Sequence, residues 1–299
     1  MRNIQSIIDI GTNNVQLLIA DITLDGLTIL KRDSRISALA ENMKYNLLSG
    51  EGILRTFGII EEFVTISRQY NCEIHLIATS AAREAKNIEV LRNLLRDKFA
   101  LKLQIISGEE EARLNGLANI NEFKATSLLL FDIGGGSTEF TFIRSNEIIR
   151  TESIKLGIRR LHNQFGDNTW QETEHIKNKL QVLKIKIDND TVLAGIGGTV
   201  TSLGAMLQDM KVYDETLVQG FKIWNADIDG IYNKILTMSD EQVPLLIPFN
   251  PLTRPLLLTG IIIVREIIAH FKGCCFFVSD RTWQLGVLEE IRSGRWNNV

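Results

Sequence analysis

Two carboxylates stand at matching points of the chain. Asp9 opens Asp9-Ile-Gly-Thr-Asn-Asn14 directly after the apolar pair Ile7-Ile8, and Asp132 opens Asp132-Ile-Gly-Gly-Gly-Ser-Thr-Glu139 after Leu128–Phe131. Each copy reads as a strand, an acid at its end, a Gly-rich turn and a second strand, Val15–Ala20 in one and Phe140–Ile143 in the other. The copies are 132 − 9 = 123 residues apart, about one domain length. Glycines at such turns let the backbone approach closely and aim N–H groups at an anion. Carboxylates repel a bare anion, so a divalent cation is the natural bridge. The combination points to phosphate chemistry, with two half-sites closing on one ligand. Gly11, Thr12 and Asn13, with Gly134, Gly135, Gly136 and Ser137, would supply the donors.

Four further segments could join them. Ala194-Gly-Ile-Gly-Gly-Thr199 is a strand-Gly-helix junction. Helix N-termini attract anions, although close packing of helix on strand would also call for these glycines. Ser107-Gly-Glu-Glu-Glu-Ala-Arg113 sets three carboxylates at a helix start. The helix dipole and a capping box from Ser107 to Glu110 explain one or two of them, which leaves room for one catalytic acid. Arg83 sits just past a strand end, where it is either a phosphoryl-binding cation or an ordinary surface arginine. Lys155, Arg159 and Arg160 surround a glycine at another helix start; they read as a solvated face or as the partner of an anion.

The elements that must position these groups alternate. Strands are predicted at Gln5–Ile10, Val15–Ile22, Leu27–Arg32, Glu73–Ala78 and Leu103–Ile106, with helices at 52–69, 87–99 (Asn87 as N-cap) and 109–119. From Ser127 the strand-turn-strand plan restarts. Helices follow at 158–165, 173–186, 200–207, 227–236, 256–271 and 283–293, with strands at 192–196 and 274–278. This pattern predicts an α/β protein with mixed sheets. The boundary is best placed in 121–126, giving domains 1–122 and 123–282.

Composition narrows the partners. With 299 residues and 44% hydrophobic content, two cores are feasible. A net charge of −3 gives no global attraction to nucleic acid or to an anionic membrane. The longest apolar stretch, 256–264, is too short to span a bilayer. The start of the chain does not read as a signal peptide. Cys72, Cys274 and Cys275 have no metal-ligand spacing and are expected to be buried free thiols. The expected setting is the cytoplasm.

Taken together, the segments resemble the exopolyphosphatase/guanosine pentaphosphate phosphatase (Ppx/GppA) family of the actin–sugar kinase–Hsp70 superfamily, in family order through nearly the whole chain. Asp9–Asn14 resembles its first phosphate loop, Thr79–Asn87 its arginine-bearing segment, and Asp132–Glu139 its second phosphate loop. Ile106-Ser-Gly-Glu-Glu-Glu-Ala-Arg-Leu114 is its most specific signature, and Leu156–Leu161 and Gly195–Thr199 also fit.

The resemblance implies two actin-like ribonuclease-H-type domains with mixed β-sheets, facing across a cleft, with the closing helix (283–299) packing back on the first. It assigns Glu111 as the catalytic residue that positions or deprotonates water, and Arg83 as a phosphate-binding arginine of the catalytic site. Asp9, Asp132 and Glu139 would hold Mg²⁺ or another divalent cation. Thr138, Gly197, Gly198 and Thr199 would join the two loops in phosphate binding. The implied substrate is inorganic polyphosphate, or guanosine pentaphosphate, and the implied assembly a homodimer.

Some positions depart from the family. Thr12 and Asn14 replace serines, and Arg35–Met43 lacks the usual glycines. Arg254-Pro-Leu256 loses an acid, and Ser279–Gly286 loses a basic and an acidic residue. Longer members continue into helical domains, which would favour short over long polyphosphate here. The rival readings are a phosphate or alarmone sensor that kept the loops but lost turnover, and a kinase of the same superfamily.

Overall fold

The computed structural model describes residues 3–24, 26–166, 169–249 and 254–296. The outer ends of the expected domains, 1–2 and 297–299, lie outside these. The chain forms β1 (Asn3–Ile10), β2 (Asn14–Thr23), β3 (Gly26–Ile36), α1 (Gly50–Gln69), β4 (Glu73–Ala78), α2 (Ser80–Glu84), α3 (Ile88–Phe99), β5 (Leu103–Ile105) and α4 (Gly108–Asn119). It continues through β6 (Ser127–Ile133), β7 (Thr138–Arg144), β8 (Glu147–Ile154), α5 (Ile158–Phe165), α6 (Thr169–Leu180), β9 (Val192–Ile196), α7 (Gly198–Leu207) and α8 (Glu215–Val218). It ends with β10 (Lys222–Trp224), α9 (Asn225–Leu236), a 3₁₀ turn (Val243–Leu246), α10 (Arg254–His270), β11 (Cys275–Val278) and α11 (Trp283–Arg292).

Two compact units divide the chain. One takes residues up to Leu114 and from Gln284 onward; the other takes Asn115–Trp283. The first cut falls inside α4, earlier than the 122/123 boundary read from the sequence. The reason is local: a Cβ on Gly116 would come within 2.7 Å of Ile148 Cδ1 and 2.9 Å of Thr141 Cγ2, so this half of α4 lies directly on the second sheet.

In the first unit the strand order is β3-β2-β1-β4-β5. β1 is antiparallel to β2 and parallel to β4, and β4 is parallel to β5. The core joins Ile8, Ile10 and Leu17 of the sheet to Ile60 and Phe63 of α1 and Leu91 and Leu95 of α3. Their spacing of three and four along the helices places them on one face. Each such side chain, fully buried, stabilises the fold by about 1.5–3 kcal/mol. Arg113 fixes α11 to α4: it donates to both oxygens of Glu110 and to both oxygens of Glu290, at 2.7–2.9 Å.

In the second unit the order is β10-β11-β9-β6-β7-β8. Read from β8, this repeats the first sheet with β10 added at the far edge. β6 is buried along its whole length, as a central strand covered on both faces must be. Phe131, Phe140 and Phe276 pack with Ile261 and Val264 of α10.

Several short elements escaped the sequence pattern. β8 is a polar edge strand with little apolar signal. Helix α6 spans Thr169–Leu180 instead of 173–186, because the chain after it turns out of the helix and is tied down on β8. There the Lys184 N–H donates to the Glu152 carboxylate at 3.0 Å. Asn87 occupies the position before α3 but does not cap it; its amide grips the Leu48 backbone from both sides. The cysteines are free, but Cys274 is exposed and Cys72 and Cys275 are half-buried. The expectation of buried thiols therefore fails, because Cys274 lies in the turn ahead of β11.

Candidate active site

In the first unit the chemistry-bearing residues gather at the carboxyl ends of three adjacent parallel strands, the usual ligand edge of such sheets. Asp9 ends β1, Arg83 follows β4 and Glu111 follows β5. Backbone bonds tie these ends together: Thr79 N–H donates to Ile10 O (3.4 Å) and Ile106 N–H to Ala78 O (3.1 Å). The Asp9 turn closes through Gly11 N–H to Asn14 O at 2.9 Å. A Cβ on Gly11 would sit 3.0 Å from that same oxygen, a tight contact that favours glycine there.

Glu111 is in the first turn of α4, its N–H bonded to Ser107 O at 3.0 Å. The three acids of the signature separate by role. Ser107 Oγ caps the Glu110 N–H at 3.1 Å, while the Glu110 carboxylate goes to Arg113. Glu109 is exposed. Glu111 is buried, and Arg83 Nη1 donates to its Oε2 at 2.8 Å and to Ile106 O at 3.1 Å. Arg83 and Glu111 are thus brought together; at 20% and 10% exposure their side chains are shielded but reachable.

In the second unit Asp132 ends β6, and the loop after it closes through Gly134 N–H to Ser137 O at 3.0 Å. The start of α5 binds the loop's carbonyls. Ile158 N–H donates to Gly134 O (3.1 Å), Arg160 N–H to Gly135 O (3.0 Å) and Arg160 Nε to Gly136 O (2.7 Å). In a planar trans peptide the next N–H points the opposite way. The N–H groups of Gly135, Gly136 and Ser137 therefore turn away from α5 as a row suited to an anion. Gly157 makes this approach possible, since a Cβ there would lie 2.4–2.6 Å from backbone atoms of Gly135 and Gly136. At the end of β9, Gly197 has φ +101°, and a Cβ on it would meet Ile133 O at 2.7 Å and Asp132 Oδ1 at 3.0 Å. The N-terminus of α7, with Gly198 and Thr199, thus adjoins Asp132.

Two expected ligands turn inward. The Thr199 side chain packs on Gly260 of α10, and its hydroxyl has no hydrogen-bond partner. The Thr138 hydroxyl is buried on Leu156 O. Only their backbone groups remain candidates. Asn115, which sequence reasoning missed, is buried and donates from Nδ2 to Asp132 Oδ2 at 2.8 Å. A polar residue between Leu114 and Gly116 on a buried helix face was its signal.

Asp132 and Glu139 stand directly opposite in the β6–β7 register, so both side chains rise from the same face. Ser137 and Ser153 hydroxyls donate to Glu139 Oε1 at 2.6 and 2.8 Å. Burial pushes the Asp132 carboxyl up to about 6, with the Asn115 bond opposing. Two facing carboxylates destabilise each other, and a hard cation would relieve both. Among the described residues no three His, Cys, Asp or Glu side chains form a ready metal cage. Mg²⁺ commonly needs only one or two carboxylates, completing its shell with water and phosphate oxygens. The donor set fits that ion.

The sequence model of the Ppx/GppA phosphatase family matches residues 18–293. Exopolyphosphatase 2 of Mycobacterium tuberculosis is 27% identical over 289 residues, 89% of this chain and 90% of that protein. The bifunctional 3-dehydroquinate synthase/phosphatase of Fusobacterium nucleatum is 29% identical over 306 residues; that is 95% of this chain, which spans only 46% of the Fusobacterium protein. A guanosine-5'-triphosphate,3'-diphosphate pyrophosphatase of Pseudoalteromonas translucida is 30% identical over 174 residues, 56% of this chain and 34% of that protein. The crystal structure of the Aquifex aeolicus Ppx/GppA family member superposes with a TM-score of 0.81 at 25% identity, covering 99% of this chain and 100% of that one.

Proposed function

This chain belongs to the Ppx/GppA phosphatase family, and from that premise we propose that it hydrolyses the terminal phosphoanhydride bond of inorganic polyphosphate, releasing orthophosphate. The observation that carries the reading is the Arg83–Glu111 pair at the carboxyl ends of β4 and β5. Glu111 would align water and accept its proton as the water oxygen bonds to the terminal phosphorus. The bridging P–O bond then breaks, and the shortened chain leaves. Arg83 fixes the direction of the Glu111 carboxylate and sets positive charge beside it for a phosphoryl oxygen. Such a reaction needs alignment and charge neutralisation more than covalent help.

The N–H row at Gly135–Ser137 and the turn at Gly11–Asn13 would bind non-bridging oxygens, with Gly197, Gly198 and Thr199 contributing backbone. Asp132 and Glu139 would hold Mg²⁺, which would neutralise phosphate charge when bound. The proposed setting is the cytoplasm and the proposed assembly a homodimer. Among the described residues no helix is long and apolar enough to cross a membrane.

The similarity to the Pseudoalteromonas protein favours a second reading, 5′-phosphate removal from guanosine pentaphosphate. Orthophosphate release with Mg²⁺ from polyphosphates of graded length, beside guanosine pentaphosphate, separates the two. Faster release from polyphosphate is expected. Turnover of the nucleotide alone would replace the first reading with the second. Binding of both without release from either would leave a sensor.

A further inference from the structure

Cys274 and Cys275 lie outside every element assigned to phosphate chemistry. Their sulfurs are 3.8 Å apart. Successive side chains within a strand point to opposite faces, but Cys274 precedes β11 and turns its thiol toward its neighbour. The backbone around the pair is pinned. Asn225 N–H donates to Cys274 O at 3.1 Å, Asn225 Nδ2 to Gly273 O at 3.0 Å, and Gly273 N–H to Ile268 O at 2.9 Å. Cys275 stands opposite Trp224 in the β10–β11 register. The Trp224 ring is half exposed, with Lys222 Nζ 3.9 Å from its centre.

This geometry is poor for a disulfide. Adjacent Cα atoms across a trans peptide are about 3.8 Å apart, whereas disulfides favour about 4.4–6.8 Å. It suits a single soft atom held between the sulfurs, since two bonds of about 2.3 Å to one pyramidal centre put the sulfurs roughly 3.5 Å apart, a few tenths of an ångström closer than they stand. A bare metal ion would want more ligands. Among the described residues no group of three His, Cys, Asp or Glu side chains forms, so the pair must satisfy its ligand alone.

We propose that Cys274 and Cys275 form a two-thiol clamp for a thiophilic centre that brings its own remaining substituent, the matching chemical class being a monosubstituted trivalent arsenical, R–As. The step balances as R–As=O + 2 Cys–SH → R–As(S–Cys)₂ + H₂O. Two As–S bonds replace the As=O bond, both thiol protons leave with the oxygen as water, and arsenic stays trivalent. Exposed Cys274 reacts first. Burial and the neighbouring Cys274 push the Cys275 thiol up, with Lys222 opposing them only in part, so Cys275 closes the ring second.

The test is titration of the reduced full-length protein with phenylarsine oxide, followed by intact mass and by tryptophan fluorescence. The expected result is one phenylarsenic unit per chain, stable to excess glutathione, removed by 2,3-dimercaptopropanol and accompanied by a change in emission from Trp224. C274S and C275S should each weaken binding by about 100-fold or more, because the second bond loses its intramolecular advantage. C72S should bind as wild type does. No adduct on the wild type, equal binding by either single variant, or loss of binding in C72S would each overturn the proposal. None of these outcomes depends on phosphate release.

Discussion

In the first Asp-Ile-Gly turn Gly11 N–H donates to Asn14 O, and in the second Gly134 N–H donates to Ser137 O, at 2.9 and 3.0 Å. In each unit the segment after the third strand then binds the turn's carbonyls. Ser37 and Ala38 N–H groups donate to Asn13 O, and Ala40 N–H to Thr12 O, just as Ile158 and Arg160 bind Gly134, Gly135 and Gly136. The backbone design is therefore one design used twice.

The surroundings differ. In register, Asp9 faces neutral Gln16 whereas Asp132 faces Glu139. The second turn carries three glycines, Gly134–Gly136, and the chain approaches it so closely at Gly157 that a Cβ there would meet the Gly135 and Gly136 backbone. The first turn carries Thr12 and Asn13, and there the left-handed backbone at Ala38 (φ +46°) makes the bend. Shared hydrogen bonds fix the shape of both turns, while side-chain charge makes the second the better place for a cation.

The buried charge of Asp132 should give the largest effect. With its carboxyl raised from 3.8 to about 6, native Asp132 holds a proton that the unfolded chain has released between about pH 4 and 6. Burying the ionised group costs up to about 3 kcal/mol above pH 6, and this cost vanishes as the pH falls below about 4. In cation-free buffer Asp132→Asn should therefore stabilise the protein by up to about 3 kcal/mol at pH 8 and change little near pH 4. Denaturant melts at the two pH values check this. A destabilised variant at pH 8 would show that burying the Asp132 charge carries no such cost. Added Mg²⁺ should stabilise the wild type and not the variant.

Packing comes next. Gly157→Ala drives a Cβ into the Gly135–Gly136 backbone, and a loss of about 2 kcal/mol is expected with weaker phosphate binding. Thermal melts and a phosphate-analogue titration read both, and an unaffected variant would break the claim that glycine is required there. The reciprocal exchange, Ala38→Gly, should be the smallest effect. It relieves a left-handed backbone but loses a buried methyl and adds chain entropy, and should fall within about 1 kcal/mol of wild type. A loss well beyond that would show that the methyl, not the backbone, holds the first turn.

Most of the frame was legible because it rests on local signals. Apolar runs ending in Asp9 and Asp132 marked β1 and β6, and helical spacing marked α1 and α3. The mutual grip of Arg83 and Glu111, and of Asn115 and Asp132, was not legible, because each joins residues from different elements. The inward turn of Thr199 depends on Gly260, far along the chain. Although Arg35–Met43 lacks glycine, Ala38 and Asn42 within it adopt left-handed backbone. β8 was hidden by its polar residues and α8 and β10 by their brevity.

The most direct test of the proposed chemistry is orthophosphate release from polyphosphate with Mg²⁺ by the wild type beside Glu111→Gln, with substrate binding measured on both. Turnover by the wild type is expected, with a fall of about 10²–10⁴-fold in the variant while binding is retained. Release by Glu111→Gln at the wild-type rate would contradict the role of Glu111 as the group that activates water.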